Sequence, residues 1–271
     1  MKDALAGKVA IITGGGSGLG AASAIRFVQE GAKVVIAGRR ENRLQEVVEK
    51  CASDNIKYCV ADITKEEDRQ RIIDTALSFG EGLHVLVNNA AHGADNYPLA
   101  EFPLDVWNDI VDVNLTSPLR MMQLAIPHML EAGVGSLITI SSMAGLGTIP
   151  DSLGYCTTKG ALINMTWCAA IDYGPKNIRA NVVCPGSFMT EMTREGMKNL
   201  SGGSDDISLA SKYFSWPLPL KRIAEPEEIA GLIVYLASDD SSYMTGAVIP
   251  IDGGANIVDC QGASMDHMPR P

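Results

Sequence analysis

The chain has 271 residues, 46% of them apolar and 20% charged, with 22 Lys and Arg against 32 Asp and Glu for a net charge of −10. That length and composition fit one large soluble α/β domain with its own core. The acidic balance excludes a broad nucleic-acid footprint or a polybasic membrane patch.

Strand and helix signals alternate from the start. Lys8–Thr13 reads as a strand buried on both faces, followed by a glycine loop (Gly14–Gly20) and a helix over Ala21–Glu30 closed by Gly31. A strand Lys33–Ala37 precedes a charged helix near Glu41–Ala52. Next come a strand Lys57–Val60 ending at Asp62, a helix Lys65–Phe79, and a strand His84–Val87. A helix carrying Trp107 and Asn114 leads to a strand Ser136–Ser141, a helix Tyr155–Tyr173 and a strand Ile178–Val183. An irregular stretch from Pro185 to Pro219 precedes a helix Glu225–Ala237 and a strand Ala247–Ile251. Seven strands alternating with helices predict a single-domain Rossmann-like α/β fold, a doubly wound parallel sheet. We read residues 1–254 as one dinucleotide-binding and catalytic domain, with a lid at about 187–219 and a polar tail at 255–271.

The apolar run Ile229–Ala237 is far shorter than the ~20 residues a membrane span needs. The start Met1-Lys2-Asp3 has no secretory h-region, so the expectation is a cytoplasmic protein with no membrane partner. Six cysteines, Cys51, Cys59, Cys156, Cys168, Cys184 and Cys260, form no C-x-x-C pair. They read as free thiols rather than zinc ligands or disulfides. The histidines (His84, His92, His128, His267) are scattered, without hydrolase or metalloprotease order.

The first chemical signal is Thr13-Gly14-Gly15-Gly16-Ser17-Gly18-Leu19-Gly20, between the first strand and the first helix. Glycines there permit close approach to a pyrophosphate, and a helix N-terminus offers free N–H groups. An NAD site usually carries an acid some 20 residues on, to hold the ribose 2′-OH. Here the second strand ends in Gly38-Arg39-Arg40, two guanidiniums suited to a 2′-phosphate. NADP(H) is therefore expected over NAD(H). Asp62, with Ile63 beside it, is placed to accept from the adenine amino group or to cap the next helix.

The second signal is Tyr155 and Lys159, four apart and so on one helix face. An ammonium beside a phenol favours the phenolate and would lower the pKa from ~10 toward neutrality. A group that titrates near working pH suits general acid–base catalysis. Ser142 closes a strand thirteen residues earlier, where a loop can return its hydroxyl to the same cleft. Asn114 is a polar residue on an apolar helix face, a position that implies a buried hydrogen-bonding task.

Taken in order, Gly14, Gly18, Gly20, Asn88-Asn89-Ala90-Ala91, Asn114, Ser142, Tyr155/Lys159, Pro185-Gly186 and Asp252-Gly253-Gly254 resemble the short-chain dehydrogenase/reductase family over residues 7–254. The resemblance implies Tyr155 as proton donor or acceptor for the substrate oxygen. It implies Lys159 as a ribose ligand, Ser142 as a carbonyl-polarising group and Asn114 as holder of a relay water. Asn89 and Ala90 would then shape the adenosine side, and Pro185, Gly186, Phe188 and Thr190 would wall the nicotinamide. Ala91 departs from a common glycine, tolerable if its φ is negative, and Ser17 stands where NADP-preferring members often carry a base.

Specificity is expected from the segment after Gly186, where Phe188, Met189, Met192, Met197, Tyr213, Phe214 and Trp216 would form an adaptable apolar lid. His92 and Tyr97 fall near the same cleft by position. The helix Ala161–Ile171 is apolar nearly all round, so a face beyond the sheet should meet a second subunit, and the family resemblance likewise implies a homodimer or homotetramer. The expected activity is NADP(H)-dependent interconversion of a secondary alcohol and a ketone, on a bulky apolar or cyclic small molecule. A 3-oxoacyl-thioester reductase is the alternative within the class. A nucleotide sensor without chemistry is the alternative outside it, opposed by the presence of Asn114, Ser142, Tyr155 and Lys159 together.

Overall fold

The computed structural model describes residues 3–93 and 95–259. Seven parallel strands form one sheet in the order β3-β2-β1-β4-β5-β6-β7. They are β1 (Val9–Thr13), β2 (Lys33–Gly38), β3 (Ile56–Val60), β4 (Val85–Asn88), β5 (Gly135–Ile140), β6 (Ile178–Pro185) and β7 (Val248–Ile251). β1, β4 and β5 are uncharged and buried along their whole length, as strands covered on both faces require, whereas the edge strands β3 and β7 are partly exposed.

Side chains alternate between the two faces. Ala10, Ile12, Val34 and Ile36 point to one core, shared with α1 (Gly18–Gln29), α2 (Glu41–Cys51) and α9 (Ala230–Ala237). Val9, Ile11, Val35 and Ala37 point to the other, shared with α3 (Glu66–Phe79), α5 (Ser117–Ala132) and α6 (Leu153–Tyr173). Phe27 of α1 is fully buried in the first core. Truncating such a residue to Ala costs about 3–5 kcal/mol. The seven-stranded Rossmann-like fold expected from the strand signals is therefore what forms.

β1 pairs with β2 on one side (Ile11 opposite Val35) and with β4 on the other (Ile11 opposite Leu86). Strand order reverses there, which opens a crevice at the carboxyl ends of β1 and β4. Gly31 closes α1 at φ +86°, as expected of a C′ glycine.

Three departures from the sequence reading concern elements near this crevice. The stretch 185–219 is not irregular throughout, because α7 (Glu191–Leu200) and α8 (Ser208–Ser215) form within it. The helix expected over Glu225–Ala237 starts as a 3-10 turn (Pro226–Ile229) and is α-helical only over α9. Asn114 lies in a π-helical turn, Asp112–Thr116, between α4 (Leu104–Val111) and α5. From residue 260 on, the expected tail, with Cys260 and His267, lies outside the described residues. No helix among the described residues is long and apolar enough to cross a membrane.

Candidate active site

A cleft of about 680 Å³ runs along the carboxyl ends of the strands and gathers nearly all the expected residues. Its lining includes the glycine loop, Ser142, Tyr155 and Lys159, and Thr190 to Thr193.

The loop's shape is imposed by contact. A Cβ on Gly20 would lie 2.4 Å from the Gly14 carbonyl oxygen, and one on Gly14 would lie 2.9 Å from Ala90 Cα. Asn89 Nδ2 donates to the Thr13 and Gly14 carbonyls at 2.8 and 3.2 Å, tying the loop to the end of β4. Thr13 Oγ1 accepts from the Asn89 and Ala90 amides at 3.0 and 3.1 Å. Asn89 and Ala90 thus brace the loop from beneath. Ala91 is not among the residues with positive φ, so its methyl is accommodated.

Ser17 precedes the first turn of α1, but its side chain makes no capping bond to that turn. The first N–H groups of the helix, beside Gly18 and Leu19, therefore face the cleft at the positive end of the dipole. That arrangement fits a dinucleotide pyrophosphate, and the backbone crowding at Gly14 and Gly20 fits a loop that must stay thin.

At the end of β2, Arg39, Arg40 and Arg43 all line the cleft. Arg40 Nη2 donates to Ser17 Oγ at 3.2 Å, and its Nη1 lies 3.0 Å from Glu191 Oε2. Arg43 was not anticipated as a site residue; it lies in the first turn of α2, just past the end of β2. Asp62 does not cap α3, whose N-cap is Lys65. Its Oδ1 accepts from Thr64 N at 3.0 Å and Thr64 Oγ1 at 2.8 Å. Burial pushes the Asp62 carboxyl up, but the two Thr64 bonds and the charge of Arg39 more than offset this, leaving it below the ordinary carboxylate range. Ile63, 8% exposed, forms the floor beside it.

The side chains expected to be catalytic come from two adjoining elements. Ser142 follows β5 and caps the next 3-10 turn, its Oγ accepting from Ala144 N at 3.1 Å. Tyr155 and Lys159 lie on the first turns of α6. Lys159 is 3% exposed, and its Nζ donates to the Ile140 carbonyl at 2.9 Å, at the end of β5. Its neighbour Ser141 donates to the Lys159 carbonyl at 2.7 Å, so strand and helix are stitched together at this point.

The electrostatics correct one expectation. The Tyr155 pKa is raised by burial, with the hydrogen bond from Ser142 pulling it back in part; Lys159 is not among the groups that lower it. Lys159 is itself lowered to about 8 by burial. Its ammonium is directed at the Ile140 carbonyl, and Nζ stands 5.6 Å from the centroid of the phenol ring. Burial therefore dominates the phenol's shift, and Ser142 offsets only part of it.

Asn114 is 1% exposed. Its Oδ1 accepts from His92 N at 2.6 Å, and its Nδ2 donates to His92 O at 3.2 Å and Thr158 Oγ1 at 3.3 Å. It joins the loop after β4 to the helix that carries Tyr155. A second tie was not anticipated: Asp95 Oδ2 accepts from the Gly154 and Tyr155 amides at 2.8 and 3.3 Å, at the N-terminus of α6.

The far wall comprises Pro185, Gly186, Phe188 and Thr190. A Cβ on Gly186 would come 2.7 Å from Asp252 Cα, so this position needs glycine. Phe188 is anchored in the core at 3% exposure, and Thr190 Oγ1 caps α7 by accepting from Thr193 N at 3.2 Å. Of the apolar residues expected to form a lid, only Phe188 and Met192 line the cleft. Met197 is fully buried, whereas Tyr213 and Trp216 are turned outward. His92 also lines the cleft, but Tyr97 does not; it bridges to Ser152.

Comparison with known proteins agrees with this geometry. A family model described as Enoyl-(Acyl carrier protein) reductase matches residues 14–256. The 3-alpha-(or 20-beta)-hydroxysteroid dehydrogenase of Mycobacterium tuberculosis is 39% identical over 255 residues, 94% of this chain and 91% of that enzyme. Levodione reductase superposes with a TM-score of 0.89 at 29% identity, covering 93% of this chain and 99% of the other. L-sorbose reductase from Gluconobacter frateurii, solved with NADPH and L-sorbose, gives a TM-score of 0.88 at 28% identity over 94% and 98% of the two chains. A fold, a cleft and a set of relatives that agree this closely leave one assignment: the chain belongs to the short-chain dehydrogenase/reductase family and is an oxidoreductase acting between secondary alcohols and ketones.

Proposed function

We propose that the enzyme uses NADP(H) and acts on a bulky apolar or cyclic alcohol–ketone pair. The observation that carries the cofactor reading is the triple-arginine wall, Arg39, Arg40 and Arg43, where the strand β2 ends without a carboxylate. Guanidiniums receive a phosphate bidentately and give no comparable advantage to a free ribose hydroxyl. The glycine loop and the N-terminus of α1 would hold the pyrophosphate, and Pro185, Gly186 and Thr190 would border the nicotinamide. When bound, the cofactor supplies or accepts the hydride.

This chain's own groups handle the oxygen and its proton. Tyr155 gives its phenol proton to the substrate oxygen in reduction and takes it back in oxidation. Ser142 donates to the same oxygen and, through its bond to the phenol, offsets part of the burial penalty on the phenolate. Lys159 orients the ribose and keeps strand β5 and helix α6 in register.

The substrate reading rests on Met192, which lines the cleft, packs beside Gly93 and has an adaptable thioether. The hydroxysteroid relative has a substrate of the same bulk and apolar character. The thioester alternative draws on the family model's description, but the net charge of −10 opposes an acidic carrier. We further propose a homodimer or homotetramer, since Trp167 and Ile171 of α6 stand exposed opposite the face that covers the sheet. A panel of steroid, alicyclic and acyl-thioester ketones, followed by nicotinamide absorbance with NADPH and NADH, tests the reading. Turnover of cyclic ketones with NADPH supports it; turnover confined to thioesters overturns the substrate class.

A further inference from the structure

The carboxylate of Glu191, the first residue of α7, reaches across the cleft rim to two of the three arginines. Arg40 Nη1 stands 3.0 Å from Glu191 Oε2, and Arg43 Nη2 pairs with Glu191 Oε1. Arg40 also donates to Ser17 Oγ, so the glycine loop, both arginines and the start of α7 form one polar chain. The loop and the segment leading into α7 touch directly as well, since a Cβ on Gly18 would come 3.1 Å from Thr190 Cγ2. Arg39, by contrast, is exposed and makes no hydrogen bond among the described residues.

We propose that Glu191 is a specificity-determining residue whose carboxylate occupies the arginine pair that receives the cofactor 2′-phosphate, so that a phosphorylated nucleotide must displace it. The proposal rests on the NADP(H) reading above. A carboxylate and a phosphate monoester present the same kind of oxyanion edge to a guanidinium, so one pair of arginines serves either ligand. The phosphate carries up to two charges against one, and Arg39 remains available to it. The Glu191 pairs are half-exposed, with side-chain exposures of 44% for Glu191, 57% for Arg40 and 38% for Arg43. Ion pairs this exposed are weak enough for a phosphate to break. A nucleotide with a free 2′-hydroxyl has no means of displacing the carboxylate. Glu191 therefore lowers the affinity for phosphorylated cofactor while leaving the unphosphorylated one untouched.

Titration calorimetry with 2′,5′-ADP and 5′-AMP on the wild-type enzyme and on Glu191→Gln tests this without turnover. Gln keeps the size of the side chain at an exposed helix start, and an unchanged melting temperature checks that α7 persists. The expected result is 2′,5′-ADP binding about fivefold tighter in the variant with 5′-AMP unchanged, the scale set by two exposed ion pairs. An unchanged or weakened 2′,5′-ADP affinity overturns the proposal. If the wild-type enzyme holds both nucleotides equally, the NADP(H) reading fails by itself. In that case Glu191→Gln either creates a preference for 2′,5′-ADP, which upholds the competition, or creates none, which overturns it.

Discussion

Asn114 grips the backbone of His92 from both sides, accepting from its N–H at 2.6 Å and donating to its carbonyl at 3.2 Å. Both groups would otherwise be peptide donors and acceptors at the edge of a buried site, and the π-helical turn at Asp112–Thr116 is what aims the amide at them. Asn114→Ala should leave these groups short of partners, at a cost of about 1–3 kcal/mol. Denaturant unfolding checks the stability, and kcat should fall further than KM rises because the loop beside Tyr155 loosens.

Asp95 does the same for the helix that carries the phenol. Its carboxylate accepts from two amides at the start of α6, where a negative charge is favoured by the helix dipole. Asp95→Ala should destabilise the enzyme by about 1–2 kcal/mol. Asp95→Asn, which keeps an acceptor but loses the charge, should recover a good part of this in thermal unfolding.

The buried hydrogen-bonding task of Asn114 was legible in the sequence but its partner His92 was not, and the Asp95 tie was not legible at all. Asp95 and Gly154 are 59 residues apart, and nothing in the local pattern of either announces the other. The same holds for Glu191, whose partners Arg40 and Arg43 precede it by 151 and 148 residues. What was legible was local: runs such as Val9–Thr13, the glycine loop, and the four-residue spacing of Tyr155 and Lys159. α7 escaped because Glu191–Leu200 is largely polar, with only Met197 buried, so its apolar periodicity is faint. The Tyr155 pKa was misjudged because spacing reveals that Lys159 is near, but not that its ammonium is turned to Ile140.

Lys159 gives a pH signature. Its folded-state pKa, about 8, lies below the ordinary 10.5, so between those values the unfolded chain binds more protons. Stability should therefore rise with pH across that window, and the burial penalty should be fully present below it. Lys159→Met removes the titrating group. The dependence on pH between about 8 and 10.5 should flatten in chemical denaturation, while turnover is lost.

The arginine wall makes a kinetic prediction. Arg39→Ala with Arg40→Ala should raise KM for NADPH far more than KM for NADH, because only the former loses phosphate contacts. Equal increases in steady-state kinetics would remove the case for a 2′-phosphate.

A second pH signature is expected at Ser142. Because its hydrogen bond lowers the Tyr155 pKa against the rise from burial, Ser142→Ala should move the acidic limb of the alcohol-oxidation profile to higher pH.

The most direct test of Tyr155 as the proton-transferring group is Tyr155→Phe, which removes one oxygen and keeps the ring. Binding of 2′,5′-ADP by calorimetry should match the wild-type enzyme, while ketone reduction with NADPH falls by at least ~100-fold, the least a lost general acid costs. Turnover retained within a few fold in the folded variant would contradict the account.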